Sequence, residues 1–137
     1  MQFDNNSPIY LQIIKEMTLR ILSGVIKPGD KLPSVRELAT QFGVNPNTMQ
    51  RAMTEMEREG LVYTERTNGR FLTEQIELLS QKKALFAREE TEKYLAYMQK
   101  IGFSHEEIIS YLQGLQQEGE NSHEFIGNQT VGTSLWE

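Results

Sequence analysis

The fold is set by residues 34–71, SVRELATQFGVNPNTMQRAMTEMEREGLVYTERTNGRF. A Ser-x-x-Glu capping box at residues 34–37 predicts the start of a short helix, and Gly43 predicts its end. An Asn-Pro pair at residues 45–46 then caps and opens a second helix, because proline is well tolerated at the first helical position. Two helices joined by so tight a turn predict a helix-turn-helix.

A β-hairpin is predicted directly after the second helix. Residues 61–64 and 69–72 have strand character, and Asn68-Gly69 is a strong hairpin-turn signal between them. The order helix, turn, helix and hairpin is that of a winged helix-turn-helix, in which the second helix enters the DNA major groove.

The helix predicted from Asn45 has two distinct faces. At spacings of three and four, one side carries the apolar residues Met49, Ala52, Met53 and Met56. The opposite side carries Asn47, Gln50, Arg51 and Thr54. An ordinary surface helix would carry more Glu and Lys, whereas amide, hydroxyl and guanidinium groups are those that hydrogen bond to base edges.

The flanking segments complete a mainly α fold with a small β-hairpin. Residues 8–24 are predicted to form an amphipathic helix with Ile14, Met17 and Ile21 on its apolar face, and residues 25–33 a Pro-Gly connector. We expect residues 1–73 to be a winged helix-turn-helix DNA-binding domain. Residues 74–117 then form a C-terminal helical hairpin for dimerisation, and residues 118–137 a flexible tail.

Composition suits a soluble, cytoplasmic protein of 137 residues with no cysteine, no signal peptide and no membrane-spanning run. The net charge is −5, but residues 1–73 carry nine basic and eight acidic side chains, whereas residues 74–137 carry five and eleven. The near-neutral N-terminal part weakens the electrostatic case for DNA, so a local basic cluster must supply the field.

An enzyme is not expected. The histidines His105 and His123 fall in a first helical turn and in the tail, and no catalytic or phosphate-binding motif is present. We interpret the acidic groups Glu55, Glu57 and Glu59 as a solvated helix face. No metal or cofactor is predicted.

The same motifs resemble the GntR family of bacterial transcription regulators over roughly residues 8–73. The matching stretches are SPIYLQI, GVIKPGDKLPS, RELA, NPNTMQRA and EREGLVY, in that order. With YLAYMQKIGFSHEEIISYL further on, the chain looks like the short YtrA-type subfamily. That resemblance implies dimerisation through the C-terminal helices and repression of a transporter or cell-envelope operon, here including the protein's own.

The resemblance places DNA contacts on Arg36, Asn47, Thr48, Gln50 and the wing around Gly69. With the residues chosen from their chemistry, the predicted DNA-binding set is Arg36, Asn45, Asn47, Thr48, Gln50, Arg51, Thr54, Arg66, Gly69 and Arg70. Many family members carry arginine where this chain has Pro46 and Gln50. We therefore expect an operator that differs from the family consensus, with adenine favoured by Asn47 and Gln50.

A homodimer on a near-palindromic operator is the expected assembly. The predicted dimerisation residues are Ala84, Ala87, Thr91, Tyr94 and Met98, with Ile108 and Leu112. A small-molecule effector, not identified by the sequence, would bind between the domains or at the dimer interface. Met98 and Tyr94 could line that site, although such spacing is more typical of packing. The alternative function is a winged-helix module that binds protein without specific DNA binding.

Overall fold

The computed structural model describes residues 1–120 and shows a mainly helical fold with one small hairpin. The elements in chain order are α1 (Ile9–Leu22), α2 (Val35–Phe42), α3 (Pro46–Arg58), β1 (Val62–Glu65), β2 (Gly69–Leu72), α4 (Ile76–Lys100) and α5 (His105–Glu120). Two compact units divide these residues, the first comprising Met1–Gln81 and the second residues 82–120. The predicted winged helix-turn-helix is confirmed in the first unit.

The core of the first unit is formed by α1, α2, α3 and the hairpin. Its buried side chains are Ile13, Met17, Ile21, Ile26, Leu32, Leu38, Ala39, Phe42, Met49, Ala52, Met53, Met56, Leu61, Val62 and Leu72. The buried face of α1 is formed by Ile13, Met17 and Ile21, so Met17 and Ile21 are confirmed, whereas the predicted Ile14 is only half-buried. Leu79, in the first turns of α4, also packs against this core. Burial of this many aliphatic and thioether groups holds α3 in a fixed orientation.

The predicted hairpin is present, with its first strand one residue later than the predicted 61–64 and its second at the predicted 69–72. β1 and β2 pair antiparallel from Val62↔Leu72 to Glu65↔Gly69, so the loop holds three residues, 66–68. The Asn68 N–H donates to the Glu65 carbonyl, and Gly69 follows with φ +104°, a left-handed backbone conformation that favours glycine. The connector adds a further short edge, because Lys31 bridges to Phe71 and the Leu32 N–H donates to the Arg70 carbonyl.

The second unit contains most of α4 and all of α5. Gly102 ends α4 as predicted, and Ser104 and Glu107 form the predicted capping box of α5. α5 continues to Glu120, so residues 118–120 are helical rather than tail; the remainder of the predicted tail, 121–137, lies outside the described residues. None of the helices in residues 1–120 has an apolar stretch long enough to cross a bilayer.

Candidate nucleic-acid interface

The turn between α2 and α3 fixes the start of α3, the helix predicted to enter the major groove and called the recognition helix below. Gly43 ends α2 with φ +70°, and its N–H donates to carbonyls of the last turn. The Asn45 side chain then caps α3 by accepting a hydrogen bond of 2.7 Å from the Asn47 N–H. Because that carboxamide oxygen is used for capping, the Asn45 contribution to binding would come from its amide NH2 group.

The predicted division of α3 into two faces is confirmed. All four apolar residues of the inner face are fully buried, whereas Asn47, Gln50, Arg51 and Thr54 are exposed. The Gln50 amide donates to the Thr54 hydroxyl at 3.2 Å, which orders two neighbouring polar groups on the outer face. Thr48 is half-buried at the edge of this face. Contact of these side chains with DNA stays a prediction.

Arg51 is held by a residue that the sequence did not single out. Its guanidinium carbon lies 3.8 Å from the centre of the Tyr10 ring, which is well within cation–π distance. Tyr10 belongs to the first turn of α1 and is half-buried against the core. No local sequence pattern indicates this pair, because it depends on how α1 packs against α3, and periodicity does not reveal that packing.

The wing is joined to the end of α3 through Glu57. The Thr64 hydroxyl on β1 donates a hydrogen bond to the Glu57 carboxylate, and the Arg70 Nε on β2 lies 3.7 Å from the same oxygen. Thr64 and Arg70 face each other across the hairpin. Glu57 lies on a solvated helix face as predicted, with 42% of its side chain exposed, but its carboxylate also links α3 to both strands of the wing.

The remaining predicted cations lie on the surface. Arg36 is exposed in the first turn of α2, and Arg66 is exposed in the hairpin loop. Lys31 was not predicted, yet it lies beside the wing: its Cε is 3.3 Å from where a Cβ on Gly69 would stand. In the sequence Lys31 is one lysine within the Pro-Gly connector, and that segment was interpreted only as a turn.

An aromatic pair stiffens the wing. The rings of Tyr63 and Phe71 stack across the hairpin with centroids 5.7 Å apart. Partial desolvation, with the nearby carboxylates of Glu74 and Glu65, raises the pKa of the Tyr63 hydroxyl. The group is therefore neutral at physiological pH and remains a hydrogen-bond donor.

Known proteins similar to this chain share its architecture. The family model described as "Bacterial regulatory proteins, gntR family" matches residues 9–72. The HTH-type transcriptional regulator YhcF of Bacillus subtilis is 44% identical over 108 residues, which are 79% of this chain and 89% of that protein. The HTH-type transcriptional repressor YtrA of the same organism is 53% identical over 70 residues, covering 51% of this chain and 54% of YtrA.

A solved structure agrees with these sequence comparisons. The GntR family transcriptional regulator from Listeria monocytogenes is 41% identical, with a TM-score of 0.76 over 82% of this chain and 98% of that chain. The likeness extends beyond the winged helix-turn-helix, because it covers nearly the whole of the Listeria chain. The chain belongs to the GntR family and is a DNA-binding transcription regulator.

Proposed function

We propose that this regulator is a cytoplasmic homodimeric repressor that binds a near-palindromic operator. In this proposal the operator controls the operon that encodes the protein itself. The observation that carries the operator contact is the exposed face of α3, which offers amide, hydroxyl and guanidinium groups on a rigidly buried helix. In this proposal Asn47 and Gln50 bind base edges, and Arg36, Arg66 and Lys31 bind phosphates. The name of the similar YtrA protein supports repression rather than activation.

The second unit supports the dimer. α4 has no buried side chain, and many large apolar side chains of α4, α5 and the turn between them are exposed: Leu85, Tyr94, Tyr97, Ile101, Ile109, Tyr111, Leu112 and Leu115. So large an apolar surface is typical of a protein interface. Ile108 is already buried within one chain, so we remove it from the proposed dimer contact. The remaining residues of the proposed contact are Ala84, Ala87, Thr91, Tyr94, Met98 and Leu112.

The operator is tested by selecting duplexes from a randomised pool with the wild-type protein. We expect an enriched inverted repeat whose half-sites lie about one helical turn, roughly 34 Å, or a multiple of it apart. Fluorescence anisotropy at two salt concentrations then compares the selected duplex with a shuffled one. Affinity that depends on neither sequence nor salt would favour the protein-interaction alternative instead.

The dimer is tested with matched charge substitutions on α5. Leu112 is 47% exposed, and Leu112→Glu places a carboxylate in the proposed interface, whereas Gln113→Glu adds the same charge next to it. Multi-angle light scattering should show a monomer for the first variant and a dimer for the second. A dimer in both would exclude this surface as the interface. An effector at the interface, lined by Tyr94 and Met98, would shift the same equilibrium.

A further inference from the structure

The contact between Arg51 and Tyr10 stands out on the first unit because the two residues come from different helices. Tyr10 is half-buried and packs against the core, so its ring is a fixed surface rather than a mobile side chain. Arg51 is exposed, and its guanidinium carbon lies 3.8 Å from the centre of that ring. The pair therefore sets where a cation on the recognition helix is held.

The position of Arg51 around α3 indicates what it would bind. At 100° per residue, Arg51 lies on one flank of the exposed face, towards α1, whereas Gln50 and Glu57 lie on the other flank, towards the wing. A guanidinium folded back onto α1 does not extend from the centre of the outer face, where a side chain meets base edges. It lies at the border of the helix, where the sugar-phosphate backbone of a groove runs.

The guanidinium remains available for a ligand. Within residues 1–120, Arg51 makes no hydrogen bond or ion pair, and its guanidinium carbon lies over the Tyr10 ring. Five N–H donors at the guanidinium edge stay free, and the positive charge is not neutralised. A planar cation held in this way loses less rotamer entropy when it binds a phosphate than one on a free side chain does.

We propose that Tyr10 is a positioning residue for DNA binding, which holds the Arg51 guanidinium at the α1 border of α3 so that it binds a backbone phosphate. The inference rests on the proposed operator binding and deepens it, because it assigns Arg51 to affinity and leaves base discrimination to Asn47 and Gln50. It also gives α1 a part in DNA binding besides its packing in the core.

The test measures anisotropy of the duplex that the wild-type protein selects, across a series of salt concentrations. Arg51→Ala should lower affinity by about 10- to 100-fold and reduce the slope of log affinity against log salt by about one. Tyr10→Leu, which keeps apolar packing but removes the ring, should lower affinity by about two- to fivefold. Tyr10→Phe should restore most of that loss, because the aromatic face returns.

A double-mutant cycle separates positioning from a general structural effect. In the Arg51→Ala background, Tyr10→Leu should have no further effect on affinity, whereas additive losses would overturn the proposal. If Tyr10→Leu does not fold, Arg51→Lys carries the test, because it is exposed and keeps the charge but not the planar face. We expect about twofold or greater loss of affinity with an unchanged salt slope; full affinity would overturn the inference.

The outcomes also distinguish this inference from the proposed function. A wild-type protein that selects no duplex sequence refutes operator binding, and the role of Tyr10 with it. A wild-type protein that binds its selected duplex specifically, while Tyr10→Leu binds it equally tightly, refutes the role of Tyr10 alone.

Discussion

Replacing Glu57 should loosen the wing from α3. The carboxylate accepts a hydrogen bond from Thr64 and lies 3.7 Å from the Arg70 Nε, with side-chain exposures of 42% for Glu57 and 22% for Arg70. That Nε is buried and has no hydrogen-bond acceptor among the described residues, so the charge of Glu57 is its main compensation. Glu57→Gln removes the charge but keeps an acceptor for Thr64, whereas Glu57→Ala removes both.

The expected losses follow from these contacts. Two unit charges 3.7 Å apart attract by about 1 kcal/mol in water, and partial exposure and side-chain entropy reduce this to about 0.5–1 kcal/mol. The hydrogen bond from Thr64 adds about 1 kcal/mol. We therefore expect the free energy of unfolding to fall by about 0.5–1 kcal/mol for Glu57→Gln and by about 1.5–2 kcal/mol for Glu57→Ala.

Glu55 provides the matched control on the same helix. Among residues 1–120 its carboxylate pairs only with Arg58, at 3.0 Å, and the Arg58 side chain is 72% exposed. Glu55→Gln and Glu55→Ala should therefore cost under about 0.5 kcal/mol each. The Glu55 and Glu57 variants change the net charge equally. Any increase in DNA affinity that comes only from losing a negative charge is therefore the same for both. The assay is urea denaturation followed by circular dichroism, with operator affinity measured beside it. Equal stability of the Glu55 and Glu57 variants would refute the link between α3 and the wing.

Three further predictions concern specificity, the turn and pH. Gln50→Ala should relax discrimination at one base pair by about 1–3 kcal/mol, measured by competition with single-substituted operators; unchanged discrimination would exclude Gln50 from base contact. Gly43→Ala has open space for its methyl group, so its loss of about 1 kcal/mol in a urea titration should come from the left-handed φ of +70° alone. The pKa of Glu107 is lowered by hydrogen bonds from the backbone N–H and hydroxyl of Ser104. The α5 cap therefore contributes stability above the ordinary glutamate pKa and loses it as pH falls through the lowered value. Ser104→Ala removes the hydroxyl but keeps the backbone N–H, which is the larger cause, so it should reduce this pH dependence only in part, as NMR titration of Glu107 would show.

Local signals predicted the first unit well because each element begins or ends with its own chemistry. The capping box at Ser34, the glycine at residue 43 and the Asn45 cap lie where the sequence placed them. The two faces of α3 followed from a period of 3.6 residues, which burial then enforced. The length of the hairpin loop did not follow from the sequence. Asn68-Gly69 suits both a two-residue turn and the observed three-residue loop with Gly69 at positive φ.

Contacts between elements distant in sequence were not predictable from those signals. Tyr10 lies in α1 and Arg51 in α3, far apart in the sequence. Nothing in the local patterns around them indicates that the Tyr10 ring lies under the Arg51 guanidinium. Glu57 has the spacing of a solvated helix face, and only the docking of the wing brings Thr64 and Arg70 to it. Such tertiary pairs depend on how elements pack, which periodicity alone does not encode.

Acidic and basic side chains are not paired evenly in the DNA-binding part, although its net charge is near neutral. Several carboxylates of the first unit are engaged locally: Glu16 with Arg20, Glu37 with the Ser34 backbone, Glu55 with Arg58, and Glu57 with Thr64 and Arg70. By contrast, five cations of the first unit have no carboxylate partner for their side chains among residues 1–120: Lys27, Lys31, Arg36, Arg51 and Arg66. A paired charge is compensated at short range, whereas an unpaired cation acts on a phosphate within a Debye length of about 8–10 Å. Because the unpaired cations belong to the connector, α2, α3 and the wing, the elements that would face DNA are locally more basic than the net charge indicates, and neutralising any one of them should reduce the salt slope of operator binding by about one.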